Sequence, residues 1–322
     1  MDKIQRNLLC AALLSAALVH SGCITVNLLE PPGPVQEVQL SGSGDSKVLL
    51  MDLSGVISSS EKEGLLPQPN LLASFKEELT KAAKDDKVKA VVLRINSPGG
   101  TVNASDILYH ELKTFKANKK IPVIASMMDV AASGGYYLAM ATDAIYVHPS
   151  TVTGSIGVIM LTVNAKGLLE KVGVEANAIT SGPRKDMGSP FRTMTTEEKA
   201  IFQGVIDSFY QRFLTVVQDG RPQLSADQIK KLADGRIYSG EQAKEAGLVD
   251  DIGYLDEAIE RAKKNAGLTE ARVVTYRRSG EYQNNIYSRV LGGGSGLSSL
   301  AHMDLLSIVR GGSPQFMYLW MP

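Results

Sequence analysis

The chain reads as an α/β protein built on a mainly parallel sheet, and three observations predict it. Short β-rich apolar runs alternate with amphipathic stretches from Lys47 onward. The run 88–95 (VKAVVLRI) is apolar at nearly every position, as a strand covered on both faces must be. From about residue 195 the pattern turns helical, with Thr195…Glu198, Ser225…Gln228 and Ser239…Gln242 as three capping-box signatures.

Taken in order, 48–56 is a strand, 71–84 places apolar residues at helical spacing, and 88–95 is the buried strand. Residues 105–117 form a helix, 121–127 a strand, 133–142 a helix and 144–147 a short strand. Residues 167–172 and 174–179 repeat helix then strand. The capping boxes open a long helix ending near Gly220 and shorter ones at 226–234 and 240–246; 255–266 is a further helix and 272–278 a last strand. Residues 292–299 (GGGSGLSS) are low-complexity, and no repeat is visible. That glycine run is no nucleotide loop, because no buried strand feeds it and no Lys-Ser/Thr follows.

The 322 residues carry 34 Lys+Arg and 34 Asp+Glu, with 44% apolar and 21% charged. This excludes a disordered polyelectrolyte and gives no electrostatic reason for a nucleic-acid partner. Both cysteines, Cys10 and Cys23, lie at the N-terminus, so the body has no disulfide, thiolate nucleophile or Cys metal site. No HExxH or clustered His/Cys/Asp pattern occurs, and neither metal nor cofactor is expected.

Residues 1–23 (MDKIQRNLLCAALLSAALVHSGC) have a weakly basic start and then a short apolar run over 8–19. A bilayer-spanning helix needs roughly 20 apolar residues, so this is the length of a signal-peptide core. Val19-His20-Ser21-Gly22-Cys23 resembles a bacterial lipobox, with His20 where Leu is usual. The resemblance implies a signal peptide over 1–22, a lipid on Cys23 and a folded domain outside the cytoplasm, anchored in the bacterial envelope. The alternatives are an uncleaved or ordinarily cleaved export signal with an incidental cysteine, and a cytosolic protein whose N-terminus is simply apolar. Residues 23–46, rich in Pro, Gly and Ser, then read as a tether, 47–268 as the folded domain, and 269–322 as a C-terminal strand and flexible tail. The apolar 317–320 (MYLW) is expected to pack in a core or interface, with membrane contact as the alternative.

Three loops concentrate residues that a plain scaffold does not need. Asn96-Ser97-Pro98-Gly99-Gly100 follows a strand, and its glycines can leave amides free to hold an oxyanion. Ala131-Ala132-Ser133-Gly134-Gly135-Tyr136-Tyr137 places Ser133 at the start of a helix with small neighbours. A simple turn and an ordinary N-cap are the plain readings of these two. The third loop, 181–190 (SGPRKDMGSP), contains Lys185, which by itself reads as a solvated charge.

Together these segments resemble the signal peptide peptidase SppA family in its short, single-repeat form, a Ser–Lys peptidase of the ClpP/crotonase fold. The family's nucleophile motif matches Ala132-Ser133-Gly134-Gly135-Tyr136-Tyr137, and its base matches Lys185 in Lys-Asp-x-Gly-Ser-Pro. Asn96–Gly100 matches its oxyanion segment, Thr153-Gly154-Ser155-Ile156-Gly157 the segment that positions the lysine, and 235–253 its helical tail. The resemblance implies Ser133 as nucleophile, Lys185 as base, Ser155 as the residue positioning the amine, and an oxyanion hole at Gly100 and Gly134. It further implies a groove for small apolar side chains, cleaved signal peptides and other unfolded apolar peptides as substrates, and a ring-like homo-oligomer in which the dyad can cross subunits.

A serine hydroxyl needs a base within hydrogen-bond reach, and a lysine serves only when its amine is uncharged. A carboxylate on that amine would favour the charge, so the Asp186 side chain is expected to point away from Lys185. Rival readings are a Ser–His–Asp hydrolase using His110, His148 or His302, an acyl-CoA enzyme of crotonase type, and a catalytically inactive scaffold at the membrane surface. The histidines read as structural, and no catalytic acid of the crotonase kind is identifiable.

Overall fold

The computed structural model describes residues 33–60, 70–278, 285–287 and 315–321. The signal segment, Cys23, His302 and the 292–299 glycine run lie outside these residues. Six strands form the parallel centre of the main sheet, in the order β11 (Arg272–Arg277), β2 (Lys47–Ser54), β3 (Val88–Ser97), β5 (Val123–Ala132), β6 (Ala144–Val147) and β10 (Asp251–Ile252). β1 (Gln36–Ser41) adds antiparallel to β11 at one edge. The end of β5 continues into a second parallel pairing with β7 (Val152–Gly154), which β9 (Ile237–Ser239) joins antiparallel.

Helices cover both faces, and the residue alternation of β2 and β3 shows why their runs are apolar throughout. Leu49, Met51, Leu53, Val91, Leu93 and Ile95 share one core with α1 (Leu71–Lys84) and α2 (Val102–Lys119). Val48, Leu50, Ala90 and Val92 face the other way onto α8 (Leu255–Asn265), which presents Leu255, Ala258, Ile259 and Ala262. Each fully buried branched side chain contributes about 1.5–3 kcal/mol relative to exposure. The buried charge in the run, Arg94, lies opposite Asp52 on β2 and pairs with it through Nε and Nη2. Paired in this way a buried charge is tolerable; alone it would not be.

The chain between β7 and the C-terminal helices supplies β8 (Ile159–Leu161) and α4 (Lys166–Lys171). The helical part follows as α5 (Thr196–Gly220), α6 (Ala226–Leu232) and α7 (Gly240–Glu245), and all three capping boxes are formed. Among the described residues no helix is long and apolar enough to cross a membrane.

Two expectations need correction. The packed body extends beyond 47–268: β1 falls inside the expected tether, and β11 lies in the main sheet between β1 and β2. Val38 and Leu40 alternate with polar residues in β1, a half-buried edge pattern masked by the surrounding Gly, Pro and Ser. Residues 174–179 form no strand; Val174 is half exposed and Ile179 fully exposed, and no strand among the described residues pairs with them.

Candidate active site

Ser133 sits where β5 ends and α3 (Gly134–Ala139) begins. Its backbone is at φ 51° and ψ −112°, a conformation an L-residue holds at a cost of about 1–3 kcal/mol. Backbone pairing imposes it: Ser133 N donates to Gly154 O at 2.7 Å, and Ser133 O accepts from Tyr137 N at 2.8 Å. The result is a sharp strand-to-helix elbow. Its hydroxyl is buried and has no hydrogen-bond partner among the described residues. At six residues α3 is shorter than the 133–142 helix expected, and the Ser133 side chain makes no capping hydrogen bond to it.

Glycines pack the elbow. A Cβ on Gly134 would lie 2.4 Å from Ser105 Oγ, and one on Gly100 would lie 1.8 Å from Ile57 O. Gly100 belongs to β4 (Gly99–Thr101), which is locked to Ile57 by Ile57 N to Gly99 O (2.8 Å) and Thr101 N to Ile57 O (2.9 Å). These bonds use the groups either side of Gly100 and leave its amide for another partner. Ser155 directly follows Gly154, the residue that accepts from Ser133 N; it is buried, at φ 49°, and its N donates to Arg236 O at 2.8 Å.

That other partner is the chain's own C-terminal segment. β12 (Gln315–Leu319) lies antiparallel between β4 and β8, forming a second, three-stranded sheet. Tyr318 is opposite Gly100, and Trp320 N donates to Pro98 O at 2.9 Å. Since hydrogen-bonded pairs alternate along an antiparallel ladder, Gly100 N is directed at Tyr318 O. The same carbonyl is close to Gly134: a Cβ there would meet it at 3.1 Å, and a Cβ on Gly99 at 2.0 Å. A peptide carbonyl therefore rests at the two glycines next to Ser133.

The Tyr318 side chain is fully buried, stacked on Tyr137 (5.1 Å) and tilted against Phe213 (4.7 Å), with its hydroxyl donating to Phe209 O at 2.8 Å. Burial pushes its phenol above the ordinary tyrosine range. Two residues back on the same face, Phe316 meets Phe202 and Phe209 of α5. Aromatic residues of α3 and α5 thus seat a large aromatic side chain of the chain's own tail. The expectation of a flexible tail here is corrected, since residues 315–319 form a paired strand; the missed signal was the two-residue period of Phe316 and Tyr318 against aromatic residues at helical spacing on α5.

Lys185 is not brought to Ser133. It is exposed, in a turn where its N donates to Gly182 O at 3.1 Å, and it has no ion-pair partner among the described residues. The Asp186 carboxylate points away from it, as expected, and is taken by Arg192 through Nε (2.7 Å) and Nη2 (2.8 Å). That guanidinium holds the Asp186 carboxyl below the usual range. Among the described residues no histidine is bonded to the Ser133 hydroxyl either; His148 stacks edge-on against Tyr254.

Comparison with known proteins fits this geometry. Residues 115–269 match the family model for peptidase family S49, and 69–153 match that for Clp protease. The chain is 39% identical over 243 residues to an Enterococcus faecium protein named as a signal peptide peptidase SppA, covering 75% of this chain and 70% of that one. It is 38% identical to a Synechocystis protein named as a protease, covering 79% and 86%. Protease 4 of Salmonella typhi is 39% identical over 61% of this chain, which spans only 31% of that longer protein. The chain belongs to the SppA-type signal peptide peptidases of peptidase family S49, and is a serine protease.

Proposed function

We propose that Ser133 is the nucleophile and Lys185 its general base, with Ser155 positioning the amine and the amides of Gly100 and Gly134 holding the oxyanion. The observation that carries this reading is the Tyr318 carbonyl, set opposite Gly100 and beside Gly134 at the Ser133 elbow. A substrate peptide adds as a strand between β4 and β8 in the same way, so its main chain supplies affinity and alternate side chains enter the α5 pockets. Ser133 Oγ attacks the carbonyl at that position, its proton passes to Lys185, and Lys185 returns it to the leaving amine. Water then hydrolyses the acyl-enzyme with Lys185 as base.

Strand addition requires an extended chain, so the substrates are unfolded apolar peptides, with signal-peptide remnants among them. The chain's own tail, seated in the groove, competes with them. Lys185 lies on an arm whose Val163, Leu168, Val172, Val174 and Phe191 are exposed, and a second copy of the chain covers that arm and completes the dyad in a ring-like homo-oligomer. Lipidation at Cys23 anchors the assembly to the membrane. The test is hydrolysis of an unfolded apolar peptide together with labelling by a serine-directed fluorophosphonate. Both are lost in Ser133→Ala, whereas labelling survives Ser189→Ala. A Lys185→Ala protein that cleaves normally overturns the dyad, and a wild type that never labels favours the inactive scaffold.

A further inference from the structure

The loop that carries Lys185 places an acid directly beside it in sequence, and the structure shows what occupies that acid. Asp186 follows Lys185 within a chain of tight turns, Lys185 N to Gly182 O (3.1 Å), Met187 N to Arg184 O (3.3 Å) and Ser189 N to Asp186 O (3.0 Å). A carboxylate so placed can swing to the neighbouring amine, and an ion pair there would favour the protonated, non-basic form. Both Asp186 oxygens are instead held by one guanidinium, from Arg192.

Arg192 is itself fixed from behind. Its Nη1 donates to Glu198 Oε2 at 2.9 Å, and Nη2 also reaches Glu198 Oε1. Glu198 is only 4% exposed and stands at the third position of α5, where it closes the capping box by accepting from Thr195 N at 2.9 Å. One planar fork therefore joins the Lys185 loop to a buried point on α5, an arrangement a lysine ammonium cannot reproduce. The other charged groups about this loop are Arg184, which pairs with Glu197 on α5, and Lys199, which lines the same cleft as Gly188, Ser189 and Arg192. None of them competes for Asp186.

We propose that Arg192 is a positioning residue for the base: by clamping the Asp186 carboxylate against α5 it keeps that carboxylate off the Lys185 amine. The proposal rests on Lys185 being the base, as read above. It assigns no contact with substrate to Arg192. Its signature is a change in proton affinity at the base and not merely a loss of fold.

The experiment is the pH dependence of kcat/KM on an unfolded apolar peptide, with the full-length assembled protein. In Arg192→Gln the freed Asp186 pairs with Lys185, so the acidic limb moves to higher pH by about one unit, a tenfold loss on that limb that is recovered at alkaline pH. Asp186→Asn in the Arg192→Gln background returns the limb toward its wild-type position. If Arg192→Gln does not fold, Arg192→Lys carries the same test and gives a smaller shift of the same sign. A loss that is equal at every pH, or a shift that Asp186→Asn does not reverse, overturns the proposal. Normal cleavage by Lys185→Ala would instead remove the dyad reading on which it rests.

Discussion

The Ser133 elbow and the Lys185 arm are neighbours in the proposed chemistry and opposites in construction. At the elbow, backbone does the positioning: β5 pairs with β7, Ser133 and Ser155 hold positive φ, and glycines stand where no Cβ fits. On the arm, side chains do it: Arg184 with Glu197, and Arg192 with Asp186 and Glu198, along a segment whose large apolar residues face outward. On the proposed reading, the nucleophile and the oxyanion amides are thus products of the sheet within one chain, whereas the base is carried on a segment with exposed apolar residues that a second copy would cover.

The sharpest break between the two regions is the effect of losing each residue on chemistry and on stability. Ser133→Ala and Lys185→Ala each lower peptide hydrolysis by about 10⁴-fold or more, since neither member of a nucleophile–base pair works alone. Gly100→Ala loses about 10²–10³-fold, the scale of one oxyanion donor, and in addition weakens the fold. The reason is the 1.8 Å approach to Ile57 O, which forces β4 to move. Lys185→Ala leaves the thermal midpoint within the range of a surface change, about 0.5 kcal/mol, because the side chain is exposed and unpaired among the described residues. A Lys185→Ala protein that melts early would erase the distinction between elbow and arm.

Mixing the two dead proteins tests where the arm is completed. If each site takes Ser133 from one copy and Lys185 from another, random assembly of Ser133→Ala with Lys185→Ala leaves about a quarter of the sites intact. Recovered activity near that level, measured after co-refolding, supports a dyad across copies. Mixed oligomers that form and stay inactive place the dyad within one chain.

The unequal legibility of these regions has the same origin. The elbow was readable from Ser133, Gly134 and Gly100 because backbone geometry restricts residue type, and a glycine where a Cβ would strike a carbonyl leaves a mark in the sequence. The parallel core was readable because β2 and β3 are apolar on both faces. The strand β1 was not, since one edge strand with two inward residues looks like linker. The strand expected at 174–179 failed for the opposite reason: β-branched residues were present without a partner strand. The seat of β12 was hidden because pairing between residues 100 and 318 leaves no local trace. Arg192 was hidden because a surface arginine and a clamp have the same letter.

The tail gives a middle-sized effect that sharpens the contrast from the elbow's side. Removing residues 315–322 takes away an intramolecular competitor whose tethering is equivalent to a local concentration in the millimolar range. The KM for short peptides then falls by about tenfold, kcat is retained, and fluorophosphonate labelling of Ser133 is faster. The same deletion uncovers Tyr137 and Phe213, so the thermal midpoint drops. Tyr318→Ala acts in the same direction, more weakly, because the strand pairing remains. Unchanged KM with lowered stability would make β12 a structural strand only.

The smallest effect is expected in acid, where the carboxylates that hold the arm to α5 lose their charge. The Arg192 guanidinium, and after it the Thr195 amide, hold the Glu198 carboxyl down at about 2, against an ordinary 4.5, and Asp186 is lowered by the same arginine. A carboxyl depressed on folding stabilises above its unfolded value and loses that contribution as pH falls toward its folded value. The arm's attachment to α5 therefore weakens between about 4.5 and about 2, the interval from the unfolded to the folded value of Glu198. Pepsin digestion across that window should cut first within residues 181–195, well before the β5–α3 elbow, whose backbone hydrogen bonds carry no proton that titrates there. Glu198→Gln removes most of the pH dependence of that cut and leaves the elbow's resistance unchanged. Equal cutting of both regions as the pH falls would mean that the two are one cooperative unit, and that the arm's ion pairs add nothing separate to its attachment.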